Sequence, residues 1–172
     1  MPTIINPDDL EYKSDPSALE AFGLLTLSPR LAKIANSKLF MFDLRKLEPG
    51  KYSFPYHFHR NAEEMIMIIS GSMTIRTTEG FEIAEKGKII FFEMGETSAH
   101  QFYNQETEPC VYLDIKTTVG VDICEYPDSG KINISPYGEV FDKGTQVSYN
   151  KGEENVQQIW NSLKNDTSVV SG

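Results

Sequence analysis

The sequence predicts an all-β protein, an antiparallel sandwich or barrel. Three observations carry this. Between Lys38 and Thr117 the chain runs through short apolar-rich segments with two-residue alternation. Turns containing Gly or Pro separate those segments, and no helical period runs through the stretch. A chain of 172 residues is long enough for one domain with a proper core.

Residues 1–37 read as an N-terminal arm with an extended piece, a short helix and a loop. Gly23 and Pro29 interrupt any long helix there. The barrel core is expected over residues 38–118. It opens with KLFMFDLRKL, a strand with Phe40, Phe42 and Leu44 on one face, and Glu48-Pro49-Gly50 makes the turn that follows. KYSFPYHFH is the next strand, then EEMIMIIS, SMTIRTT, FEIAEKG, KIIFFEMG, AHQFYN and PCVYLDIKT.

In EEMIMIIS, Glu64, Ile66 and Ile68 share one face, and Met65, Met67 and Ile69 share the other. Both faces are apolar, so both should be covered, one by the barrel interior and the other by an arm, a second sheet or a second subunit. The last barrel strand sets Tyr112, Asp114 and Lys116 against Val111, Leu113 and Ile115. The apolar set is expected to point inward.

Residues 119–172 form a C-terminal extension with one helix over about 153–164. Val156, Ile159, Trp160 and Leu163 make its apolar stripe. Glu153 and Glu154 suit its first turn and Lys164 its last, and residues 165–172 should fray.

Composition excludes several roles. A net charge of −9 disfavours nucleic acid, whose phosphates need a basic face. No apolar run approaches the roughly 18 residues of a membrane helix. The start, MPTIINPDDLEYKSD, lacks the basic then apolar pattern of a secretory signal, so a cytoplasmic location is expected. Cys110 and Cys124, the only cysteines, read as buried thiols.

The chemistry is concentrated in the histidines. The chain has three, His57, His59 and His100. His57 and His59 are two apart on a strand and project together. Glu64 follows at the start of the next strand, and His100 opens a later one with Phe102 and Asn104 on its face. Three imidazoles and a carboxylate suit a borderline divalent cation. Glu63 is the competing carboxylate, because a slip of one residue exchanges the faces; the spacing to Gly71 favours Glu64.

These residues resemble the two motifs of the cupin superfamily. The first is carried by Gly50, His57-Phe58-His59, Glu64 and Gly71, with one extra residue after Gly50. The second is carried by Gly87, Glu93-Met94-Gly95, His100 and Asn104. In it, Glu93 stands where proline is usual, and two extra residues lengthen the loop before His100. The stretch from Asp122 to Asp128 adds a likeness to uncharacterised small cupins.

The resemblance implies a double-stranded β-helix, or jelly-roll barrel, holding iron, manganese, nickel or zinc at His57, His59, Glu64 and His100. Ile66, Ile68, Phe102 and Asn104 are expected to line the pocket, with Tyr52 a further polar tip. Four protein ligands leave open positions on a six-coordinate ion for a small oxygenated molecule such as a sugar, keto acid or phenol. The reaction would be an isomerase, lyase, decarboxylase or dioxygenase reaction. The alternatives are a non-catalytic binding or sensing module and a purely structural metal. Arginines are sparse (Arg30, Arg45, Arg60 and Arg76), which disfavours a strongly phosphorylated substrate. The apolar outer strand face predicts a homodimer.

Overall fold

A computed structural model describes residues 2–168. In chain order the strands are β1 (Glu11–Ser14), β2 (Leu24–Ser28), β3 (Phe40–Leu47), β4 (Phe58–His59), β5 (Glu64–Ser70), β6 (Ser72–Arg76) and β7 (Phe81–Glu85). They continue as β8 (Ile89–Phe92), β9 (Gln101–Tyr103), β10 (Cys110–Thr117), β11 (Asp122–Tyr126), β12 (Lys131–Ser135) and β13 (Glu139–Asp142). A single-turn helix, α1, spans Leu31–Ile34, and a longer one, α2, spans Val156–Ser168.

The strands form antiparallel sheets, as a jelly roll requires. One sheet has six strands in the order β1-β2-β3-β10-β5-β8. A second has the order β13-β12-β11-β4, and a third β7-β6-β9. An isolated antiparallel bridge between His57 and His100 joins the last two. There the His57 N–H donates to the His100 carbonyl at 3.1 Å, and the His100 N–H to the His57 carbonyl at 2.8 Å.

Local chemistry explains the register. Gly71 makes the tight link from β5 to β6 at φ +77°, a backbone conformation that side chains with a Cβ resist. The face of β5 bearing Glu64, Ile66 and Ile68 is buried, whereas Met67 and Ile69 are exposed. Ile66, Ile68, Leu47, Met73, Ile75, Phe92, Phe102 and Tyr112 form one contiguous core cluster, drawn from the six-stranded and three-stranded sheets.

The segments flanking residues 38–118 extend the same sheets. From the N-terminal arm, β2 pairs with β3, and from the C-terminal extension, β11 pairs with β4. Residues 1–142 make one compact unit and residues 143–172 another. In the second unit the helix begins at Val156, after Asn155, a residue type favoured at that position. It continues to Ser168, past the point where fraying was expected, and residues 169–172 lie outside the described residues.

One facing is reversed from expectation. On β10 it is Tyr112 and Asp114 that are buried, not Val111, Leu113 and Ile115. On β3, likewise, Asp43, Arg45 and Leu47 point inward. The ion pair from Arg45 Nε to Asp114 Oδ2 at 3.0 Å is the physical reason, because buried charges persist when paired.

Candidate metal centre

His57 precedes β4 and His59 ends it. Glu64 opens β5, and His100 immediately precedes β9. All four are buried, with Glu64 at 5% exposure, whereas Glu63 is only partly buried. Ligand atoms of His57, Glu64 and His100 lie within 4.8 Å of one another. His59 Nε2 is 3.4 Å from Glu64 Oε2, and His100 Nε2 is 3.5 Å from the same oxygen. Metal–ligand bonds of about 2.0–2.2 Å put neighbouring donors roughly 3 Å apart, close to the two separations from Glu64 Oε2; His59 meets that 4.8 Å limit with His57 and Cys124, not as a fourth member of the His57, Glu64 and His100 set.

The other side of each imidazole is already engaged. His57 Nδ1–H donates to the Pro55 carbonyl at 2.9 Å, and His100 Nδ1–H to the Ser98 carbonyl at 2.9 Å. His59 Nδ1–H donates to Asp122 Oδ2 at 2.6 Å. A carbonyl can only accept, so the proton sits on Nδ1 and the Nε2 lone pair is left for a ligand bond. Glu64 Oε2 and His100 Nε2 are buried with no hydrogen-bond partner. Such orphaned atoms are costly unless something occupies the space between them. The donor set therefore fits a divalent cation.

Electrostatics agree for His57 and Glu64. Burial, reinforced by the His100 ring, pushes His57 down to about 3, so it stays neutral at ordinary pH. Burial raises Glu64, but the His100 and His59 imidazoles close to its Oε2, with His57 beyond, outweigh it and hold the carboxyl well below its usual range. Burial opposes protonation of His59, and the Asp122 and Glu64 carboxylates overcome it, raising that group.

Packing fixes the ring planes. Phe92 stacks on His100 at 3.7 Å between centroids, and Phe102 lies on it at 5.3 Å. The loop before His100, two residues longer than the motif, folds into a 3₁₀ turn at Glu96–Ser98. That turn places the Ser98 carbonyl as the acceptor for His100. Glu93 is exposed at the loop and accepts from the Thr97 hydroxyl at 2.9 Å.

A cavity of about 310 Å³ opens on His57, His59 and Glu64. Its wall differs from the expected one. Ile66, Ile68, Phe102 and Asn104 are in the core and are not among its lining residues. Asn104 is consumed structurally, donating to the carbonyls of Leu47 and Glu108 at 2.9 Å each. Tyr52 packs at a tilt against Tyr103 elsewhere, with ring centroids 4.8 Å apart. The lining includes Arg30, Arg45, Asp114, Lys116, Asp122, Cys124, Tyr126 and Asn133.

Asp122 and Cys124 were not legible as site residues because β11 lies far along the chain. The pairing of Cys124 with His59 brings them in. Ligand atoms of Cys124, His57 and His59 also fall within 4.8 Å of one another. Burial pushes the Cys124 thiol up to about 11, so it stays protonated where Glu64 is ionised. The carboxylate is therefore the better donor.

A family model described as a cupin domain matches residues 43–116. Residues 43–116 are thus a cupin domain. Solved structures agree in fold. A cupin described as a sugar phosphate isomerase, from Silicibacter pomeroyi DSS-3, is 21% identical with a TM-score of 0.74, over 86% of this chain and 98% of that one. A candidate sugar phosphate isomerase from Acidithiobacillus ferrooxidans is 25% identical with a TM-score of 0.69, over 81% of this chain and 88% of that one. A polyketide cyclase from Streptomyces resistomycificus is 18% identical with a TM-score of 0.55, over 87% and 89%. No curated protein matches the sequence. Among the described residues, no helix is long and apolar enough to cross a membrane.

Proposed function

We propose that this cupin is an enzyme that holds one divalent metal ion at His57, His59, Glu64 and His100 and isomerises a small sugar derivative. The observation that carries the reading is the set of imidazoles with Nδ1 committed to Pro55, Asp122 and Ser98, around a Glu64 oxygen left without a partner. Mixed imidazole and carboxylate donors suit iron, manganese, nickel or zinc. Bound there, the ion would supply Lewis acidity to a substrate carbonyl or hydroxyl.

The chain's own residues do the rest. His57 stays neutral and therefore keeps its Nε2 free for ligation. Burial raises the Tyr126 phenol, so it keeps its proton and donates to a substrate oxygen from the cavity wall. Lys116, held 3.8 Å from Asp122, presents a cation on the same wall. The likeness to the Acidithiobacillus ferrooxidans protein, at 25% identity, supports isomerisation over the alternatives. The test is solvent deuterium uptake into aldose and ketose phosphates by metal-loaded protein. Uptake should occur and should disappear in His59→Ala. Ligand-induced stabilisation without any exchange would instead favour a non-catalytic binding module.

The same reading includes a homodimer. On the edge of the six-stranded sheet, Met67 pairs across from Ile89 and Met65 from Phe91, and Met67, Ile89 and Phe91 are exposed. Covering that apolar strip with a second copy is the expected use of it. Light scattering on the purified chain should give twice the 19.4 kDa chain mass, and Phe91→Lys should reduce it to one.

A further inference from the structure

A second, larger cavity of about 960 Å³ adjoins the metal-side cavity. The two share Arg30, Arg45, Phe54, Tyr126 and Asn133 as walls. In a chain of net charge −9 this outer cavity is locally basic: Lys13, Arg30, Lys33 and Lys131 line it, against one carboxylate, Asp15.

Among the described residues the side chains of Arg30, Lys33 and Lys131 make no ion pair, whereas Lys13 pairs with Glu11 at 3.8 Å. The Arg30 side chain makes no hydrogen bond or ion pair among the described residues; burial and nearby Arg45 lower its pKa, and the more distant carboxylates of Asp43, Asp114 and Asp15 offset this only in part. Arg45 is 2% exposed and held by carboxylates, its Nε bound to Asp114 at 3.0 Å and its Nη1 3.9 Å from Asp43 Oδ2, too far for a hydrogen bond. Lys131 lies over the Tyr126 ring at 4.7 Å, on the wall between the two cavities. Asp15 turns to its own loop, accepting from the Ser17 N–H at 2.8 Å and hydroxyl at 2.6 Å.

The segment carrying Arg30 is anchored. Asp43 Oδ1 on β3 accepts from the Leu31 N–H at 3.3 Å, tying the start of α1 to the large sheet beside Arg45. Arg30 therefore stands at a fixed rim, not on a free loop. Planar guanidinium groups with several aligned donors suit oxyanions, and clustered lysines add charge.

We infer that this outer cavity is an anion subsite that binds the phosphate of a phosphate-monoester substrate through Arg30, Lys131 and Lys33, while the substrate's oxygenated end reaches the histidine side. It rests on the metal-centre reading only for which end reacts. A dianion is the better match than a carboxylate because several cations converge with one opposing charge. The sequence argument against a phosphorylated substrate fails here, because Arg30 ahead of α1, Lys33 within it and Lys131 on β12 line one cavity only in the fold.

The probe is inorganic phosphate, titrated by calorimetry at fixed ionic strength into the full chain as purified, with acetate as the parallel arm. Saturable phosphate binding should weaken at least tenfold in Arg30→Met/Lys131→Met. That variant should keep wild-type metal content and melting temperature. Arg30→Lys should retain part of the binding. Absent binding, unchanged affinity in the double variant, or acetate binding as tightly as phosphate would each overturn the proposal. Metal content is measured on the same samples. A chain that binds metal but not phosphate refutes the subsite alone, and one that binds phosphate but no metal refutes the metal reading alone.

Discussion

At the scale of single residues, the site is a matter of which nitrogen faces which way. Three backbone or carboxylate acceptors hold the Nδ1–H groups, so three Nε2 lone pairs are aimed by the fold and not by the metal. The sequence carried the donors: every histidine of the chain is in the cluster, and the spacing to Gly71 chose Glu64 over Glu63. It did not carry the acceptors, because Asp122 reaches His59 across 63 positions of chain.

Asp122→Asn should therefore weaken metal binding about 10–100-fold without unfolding the protein, as read by competition with a chelator. The thiols offer a check by pH. Burial raises Cys110 and Cys124 to about 11. A raised acid favours the folded state below its ordinary pKa of 9.0, and that contribution is lost as pH climbs towards 11. At pH 8 neither thiol should react with a disulfide reagent until the chain is unfolded, and stability should fall above pH 9.

At the scale of elements, strand alternation was legible and facing was not. Glu64, Ile66 and Ile68 are on the buried face of β5 as the pattern implied. On β10 the polar face went inward, because Asp114 meets Arg45 from β3 across the sheet. Periodicity separates two faces but cannot say which one a distant arginine will neutralise. The same blindness misplaced Asn104, whose amide is taken up by the carbonyls of Leu47 and Glu108. Turns were read more securely. A Cβ at Gly71 would sit 3.1 Å from the Pro109 carbonyl oxygen and 3.2 Å from Cys110 Cα, at a φ of +77°. Gly71→Ala should cost about 1–3 kcal/mol in urea unfolding, whereas an alanine tolerating the site without loss would contradict this account of the turn.

At the scale of the whole molecule, two sheets meet at the His57–His100 bridge, and the proposed metal would sit on that seam. The antiparallel sandwich-or-barrel class followed from short strands and turn spacing, and the jelly roll from the likeness to the cupin motifs. The sheets reach further than the motif-bearing core, because β1 and β2 extend one and β11 to β13 extend another. Those additions supply Arg30, Asp122 and Tyr126 to the cavities, so the flanks, more than the core, set what the site can bind. The most direct measurement is elemental analysis of protein purified with neither chelator nor added metal, alongside His59→Ala. The account predicts close to one divalent ion per chain in the parent and a small fraction of that in the variant. A metal-free parent, or a variant that keeps its full complement, would contradict it.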